Sequence, residues 1–143
     1  MKKLFIVLIF FTACSPKIKK LEHSNYYDVV EVKNTGGFTG ASSGFLIQKN
    51  GEIYVTFHLP NKPFNQKFYR LSTIDSVNKM FEMLATSKVM AKPYHKPSNV
   101  TYSISTRKDS VSNAVYWADG QDSVQNYINV YRVLRNFASG RKQ

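Results

Sequence analysis

Between residues 100 and 117 the chain applies one pattern twice. Val100, Tyr102, Ile104 and Thr106 alternate with Thr101, Ser103, Ser105 and Arg107. After Lys108-Asp109, Val111, Asn113, Val115 and Trp117 carry the alternation on. Successive side chains of a strand point to opposite faces, so a period of two marks a strand with one face on a core. The Lys108-Asp109 break marks a turn and makes the two runs a hairpin. Strands joined by hairpins form an antiparallel sheet.

The first half repeats the plan without a residue-level repeat. Tyr26 to Lys33 is β-branched and aromatic, which predicts a strand. Asn34 to Ser43 breaks it with three glycines, and Gly44 to Lys49 resumes a strand. Asn50-Gly51 follows, a strong hairpin signal in which both turn positions take positive φ. Ile53, Val55, Phe57 and Leu59 then alternate with Tyr54, Thr56 and His58, predicting a third strand with these four residues toward the core. Lys67 to Leu71 is a further short strand. Pro60–Gln66 and Lys88–Asn99 each hold two prolines and read as loops.

Two helices complete the pattern. Ser72-Thr73-Ile74-Asp75 opens the first, with Ser72 as the cap and Asp75 reaching back to it. Ile74, Val77, Phe81 and Leu84 are spaced along one helical face. Asp122 or Ser123 caps the second, which sets Val124, Tyr127, Ile128, Tyr131, Leu134 and Ala138 on one side. The order is β-β-β-(β)-α-β-β-α. It predicts an α+β domain over residues 26–139: an antiparallel sheet of five to six strands with both helices on one face.

Residues 1–13 stand apart. Met1-Lys2-Lys3 is positive, Leu4 to Phe11 is apolar, and Thr12-Ala13 leads to Cys14. A positive start, a short apolar run and small residues before a processing point compose a secretory signal. The run is far below the roughly 20 residues that cross a bilayer. Phe11-Thr12-Ala13-Cys14 resembles the lipobox of bacterial lipoproteins, with Phe11 where Leu is usual. That resemblance implies cleavage before Cys14 and a diacylglyceryl group on its thiol. Cys14 is the one cysteine of the chain, so an intramolecular disulfide has no second thiol. The expected organisation is a signal over 1–13, a lipidated Cys14 with a polar tether over 14–25, and the domain after it. The expected location is the bacterial cell envelope, lipid-anchored at the outer membrane and facing the periplasm.

Charge adds a second constraint. The chain carries 20 basic and 9 acidic residues, a formal +11. Loss of Lys2 and Lys3 with the signal leaves +9. Such an excess suits nucleic acid, but an export signal takes the domain away from it, so no nucleic-acid partner is expected. The remaining readings are attraction of Lys17, Lys19 and Lys20 to anionic lipid, a basic surface that meets an acidic partner, or solvated lysines that keep the chain soluble.

Familiar chemistry is not legible. His23, His58 and His95 lie far apart and lack acidic partners at ligand spacing, so no metal site is expected. The single thiol is committed to lipid, and Ser42-Ser43-Gly44 is not a nucleophile elbow. Gly36-Gly37-Phe38-Thr39-Gly40 lacks the lysine of a phosphate loop and the spacing of a dinucleotide fingerprint. No catalytic residue and no cofactor are expected. The glycine segment has two readings. It is a turn needing positive φ with Phe38 folded onto the core, or a presented loop in which Gly36, Gly37, Phe38, Thr39 and Gly40 meet a partner with Phe38 as the apolar anchor.

Taken in order, Gly36-Gly37-Phe38-Thr39-Gly40, the helix opening Leu71-Ser72-Thr73-Ile74-Asp75, Tyr102-Ser103-Ile104-Ser105, and Val115-Tyr116-Trp117-Ala118-Asp119-Gly120 before a closing helix resemble the emfourin family. These are small α+β proteins typified by inhibitors of thermolysin-like metalloproteases. The resemblance spans about residues 26–138. It implies a protein-binding module whose partner is an exported thermolysin-like protease or another envelope protein. It assigns no inhibitory residue here, and the family's compact members lack a lipoprotein signal. The other classes open to this sequence are a structural or accessory lipoprotein that docks through its sheet face and, third, an enzyme.

Overall fold

The computed structural model describes residues 26–37, 39–118, 120, 121 and 124–141. The elements are β1 (Val29–Gly36), β2 (Ser42–Gln48), β3 (Glu52–His58), β4 (Asn65–Leu71), α1 (Ile74–Thr86), β5 (Val100–Lys108), β6 (Val111–Ala118) and α2 (Gln125–Ser139). The six strands form one sheet in the order β4-β3-β2-β1-β5-β6. Every neighbouring pair is antiparallel. The expected α+β architecture is therefore present, and the short strand after Pro63 is a full member of the sheet.

Register sorts the residues onto two faces. Val32 lies opposite Phe45 on one side and Ile104 on the other, and Ile104 lies opposite Val115. Val30, Val32, Ile47, Ile53, Ile104, Val115 and Trp117 are all buried on this face. Val77, Phe81 and Leu84 of α1 and Val130, Tyr131, Leu134 and Ala138 of α2 join the same cluster, so both helices cover one face. Burying each large apolar side chain contributes about 1.5–3 kcal/mol. The opposite face carries Glu31, Lys33, Thr56, Ser103 and Ser105, and Thr56 and Ser105 donate to Glu31 at 3.4 Å. Leu46, Tyr54, Phe68 and Tyr116 share that face; neither α1 nor α2 covers it, which leaves its charged and hydroxylated members hydrated.

α2 runs across the sheet from one edge to the other. Near its start, Tyr127 packs on Trp117 of β6 with centroids 5.7 Å apart. Tyr131 meets Tyr102 of β5 at 5.4 Å. At its end, the Ala138 carbonyl accepts from Arg70 of β4 at 3.0 Å. Gly140 closes the helix at φ 74°, and the Arg141 amide returns to the Asn136 carbonyl at 3.1 Å, a Schellman-type ending.

Several local expectations are corrected. Thr73, not Ser72, caps α1, and its hydroxyl accepts from the Ser76 amide at 3.2 Å. Asp75 reaches forward to Lys79 at 2.9 Å rather than back to the cap. At Asn50-Gly51 only Gly51 has positive φ, 95°. The Gly51 amide bonds the Gln48 carbonyl, and Asn50 instead accepts from the Glu52 amide, so the tight turn lies one residue earlier than a two-residue Asn-Gly hairpin. Asn34, Thr35 and Gly36 remain in β1, paired with β5 as far as Val100. The expected cap of α2 at Asp122 or Ser123 lies outside the described residues. Val124, buried, holds the first position with no side-chain cap bond.

The loop end of the sheet

The segment singled out by its glycines is the β1–β2 hairpin connection, and backbone geometry explains its composition. Gly36, Gly37 and Gly40 have φ of 118°, 72° and 62°, a region that side chains disfavour. A Cβ on Gly36 would lie 1.8 Å from the Asn99 carbonyl oxygen, so only glycine fits. The Gly36 amide bonds the Ala41 carbonyl at 3.0 Å, Gly37 bonds Asn99 at 2.6 Å, and Gly40 bonds Gly37 at 3.2 Å. The Ala41 amide donates weakly to the Thr39 hydroxyl at 3.4 Å. Gly37, Thr39 and Gly40 are exposed and Gly36 is half-buried. Phe38, read from the sequence as either a core residue or an apolar anchor, lies outside the described residues, as does Cys14.

The same contacts bring three loops together. Asn99 ends the long connection before β5, and the Gly37 amide is bonded to it. A Cβ on Gly40 would lie 3.2 Å from Pro60, at the start of the β3–β4 loop. The glycine hairpin thus sits between the two proline-bearing loops at one end of the sheet. The long connection is itself tied down. The Tyr116 amide donates to the Tyr94 carbonyl at 2.8 Å, and Lys96 donates to the Tyr116 carbonyl at 3.1 Å, which pairs residues 94–96 with the β6 edge.

Four large apolar side chains are exposed around this end: Phe57 at 45%, Leu59 at 36%, Phe64 at 53% and Val100 at 41%. Phe57 and Leu59 correct the sequence reading, which sent them to the core with Ile53 and Val55. Their alternation holds, but burial does not follow it along the whole strand: Ile53 is fully buried while Phe57, on the same face, is not. Val111, the first residue of β6, is 70% exposed. The sequence signal for the strand was sound. No local signal marks where the helices stop covering it. Residues 36–41, 57–64 and 94–100 include Lys62 and Lys96 and no acid, so the loop end is apolar with a basic margin.

No family model matches this chain. No curated protein matches it either.

His58 lies on the uncovered sheet face, opposite Ser42. His95 is exposed, with its ring 5.0 Å from that of Tyr116. Among the described residues no group of three histidine, cysteine or acidic side chains could hold a metal ion, and no helix is long and apolar enough to cross a membrane. Perturbed titrating groups lie away from the loop end. A hydrogen bond from Lys49 and another from the Asp109 amide hold the Asp28 carboxyl below its ordinary range. Burial pushes the Tyr131 hydroxyl up.

Proposed function

We propose that this chain is a protein-binding module tethered to the bacterial envelope by a lipid on Cys14, and that it docks through the loop end of its sheet. The observation that carries the reading is the meeting of three loops, the glycine hairpin hydrogen-bonded to Asn99 and packed close to Pro60, around exposed Phe57, Leu59, Phe64 and Val100. Binding energy concentrates in apolar anchors held on a rigid frame, because little ordering entropy remains to be lost. The uncovered sheet face offers less. Glu31 near its centre accepts from Thr56 and Ser105 and pairs with Lys33. Leu46 lies opposite it and the exposed Phe68 sits beside Tyr54 toward the β4 edge, but the polar groups at the centre must be re-paired when water leaves. The resemblance to emfourins makes an exported thermolysin-like metalloprotease the first partner to test, with inhibition as the activity. An accessory lipoprotein using the same end on another envelope protein is the second reading.

The test uses the full-length lipidated chain, checked by fatty-acid labelling against Cys14→Ser. It measures inhibition of a thermolysin-like protease and capture of proteins from envelope extracts. Leu59→Ala, Phe64→Ala and Phe38→Ala are each compared with the parent. A hot-spot loss of about 2 kcal/mol, on the order of thirtyfold in Kd, is expected for at least one of them, with the thermal midpoint nearly unchanged. Inhibition assigns the protease partner, and capture without inhibition assigns the accessory role. Capture that is indifferent to all three substitutions sinks the loop end as the docking surface.

A further inference from the structure

On the helix-covered face, beside the loop end, α2 leaves a cleft of about 440 Å³ against the sheet. Its floor is aromatic: Phe45 of β2, Tyr102 of β5 and Trp117 of β6. Its rim is cationic: Arg132, Arg135 and Arg141. Arg132 and Arg135 are exposed and lie three apart on α2, so they share one helical flank. Arg135 also sits over the Tyr131 ring, 6.0 Å from its centre. No carboxylate lines the cleft, and residues 123–143 contain no acid at all. The acids that pair with lysine lie elsewhere, at Asp28, Glu31 and Asp75. Three like charges therefore converge without an ion-pair partner among the described residues.

We infer that this cleft binds a small amphiphilic oxyanion, a carboxylate, sulfonate or phosphate joined to an apolar body. The size lies in the range of small-molecule sites, which combine an apolar wall with a few orienting polar groups. Guanidinium groups present paired donors that match an oxyanion, and a bound anion would offset the repulsion between the three. Tyr102 and Phe45, half-buried, offer faces and edges on which a ring or a short chain lies. The site is distinct from the exposed side chains of the loop end, so this inference stands or falls apart from the docking reading. A free aromatic or aliphatic anion and a lipid headgroup with its first methylenes present the same chemistry.

Trp117 is the only tryptophan of the chain and lies on the cleft floor, so its fluorescence reports occupancy. The full-length chain in vesicles of neutral phosphatidylcholine is titrated with naphthalene-1-sulfonate. Saturable quenching is expected in the parent. Arg132→Ala or Arg135→Ala should each weaken it about tenfold, the loss of one charge-assisted contact. Arg132→Lys and Arg135→Lys should lose less, because the charge remains. Arg107→Ala, an exposed cation on β5 outside the cleft, should behave as the parent. Monomeric dihexanoyl phosphatidylglycerol is then added as competitor. Competition that depends on the arginines identifies a lipid headgroup as the natural source, and probe binding without competition identifies a free anion. Quenching that is non-saturable, or equal in the alanine variants and the parent, overturns the site. Equal displacement by inorganic phosphate alone overturns the role of the aromatic floor.

Discussion

Arg70 donates from Nε to the carbonyl oxygen of Ala138, 3.0 Å away, and so ties the edge strand β4 to the last turn of α2. Its other arm donates to the Phe137 carbonyl, and the guanidinium lies 5.5 Å from the Phe137 ring centre. A cation at a helix C-terminus meets both the unpaired carbonyls and the negative end of the dipole. The contact spans 68 residues of sequence.

Arg70→Ala should therefore destabilise the domain by about 2 kcal/mol, the usual range for hydrogen bonds to a charged donor. Arg70→Lys keeps the charge but not the two-point reach, and should recover only part of that. Chemical denaturation of both variants checks the order. Equal stability of Arg70→Ala and the parent would mean that α2 is held by its apolar face alone.

Leu84 and Leu134 are fully buried at the interface of α1 and α2 with the sheet. Leu84→Ala or Leu134→Ala should each cost about 2–5 kcal/mol. Lys79 pairs with Asp75 on an exposed turn of α1, with its side chain 69% accessible. Lys79→Ala should change stability by under about 0.5 kcal/mol. Urea midpoints separate the two groups, and similar midpoints for all three would contradict the packing described.

The glycine hairpin makes a sharper distinction between neighbours. Gly36→Ala forces a Cβ against the Asn99 carbonyl. It should cost on the order of 3 kcal/mol or more, since backbone on both sides must shift. Gly37 has positive φ but nothing within 4 Å of the added Cβ. Gly37→Ala should cost about 1–2 kcal/mol, the strain of the left-handed region alone. Thermal melts of the two variants read the difference.

Asp28 supplies the pH dependence. Its carboxylate accepts from Lys49 and from the Asp109 amide at 2.7 Å, which depresses its pKa in the folded state. A depressed folded value means that the ionised form stabilises the fold above the unfolded pKa, near 3.9, and that this is lost as pH falls through the lower folded value. Asp28→Asn should be less stable than the parent at neutral pH, and the gap should close in acid. Denaturation midpoints measured across that range test it. A gap independent of pH would place the effect in the hydrogen bonds rather than the charge.

The amino-acid sequence by itself determined the element types and the faces of the strands. Alternation at Val100–Trp117 and at Ile53–Leu59 is a local property, because each side chain's direction follows from its neighbours. The helix faces at Val77, Phe81 and Leu84 and at Tyr131, Leu134 and Ala138 were legible for the same reason. The glycine run left a positive-φ turn and a presented loop both open, and the need for glycine at Gly36 comes from the distant Asn99 carbonyl. Which alternating residues lie inside was not local. Ile53 and Phe57 share a strand and a face, yet only Ile53 joins the buried cluster with the helices, and that depends on how the helices pack across the sheet. The meeting of the Gly37, Pro60 and Asn99 loops depends on β5 pairing with β1 across the width of the sheet. So does the cleft, whose aromatic floor comes from three strands and whose arginines come from α2. Sequence spacing fixes directions within an element. Only packing between elements decides which surfaces water is excluded from, and both candidate sites lie where that exclusion stops.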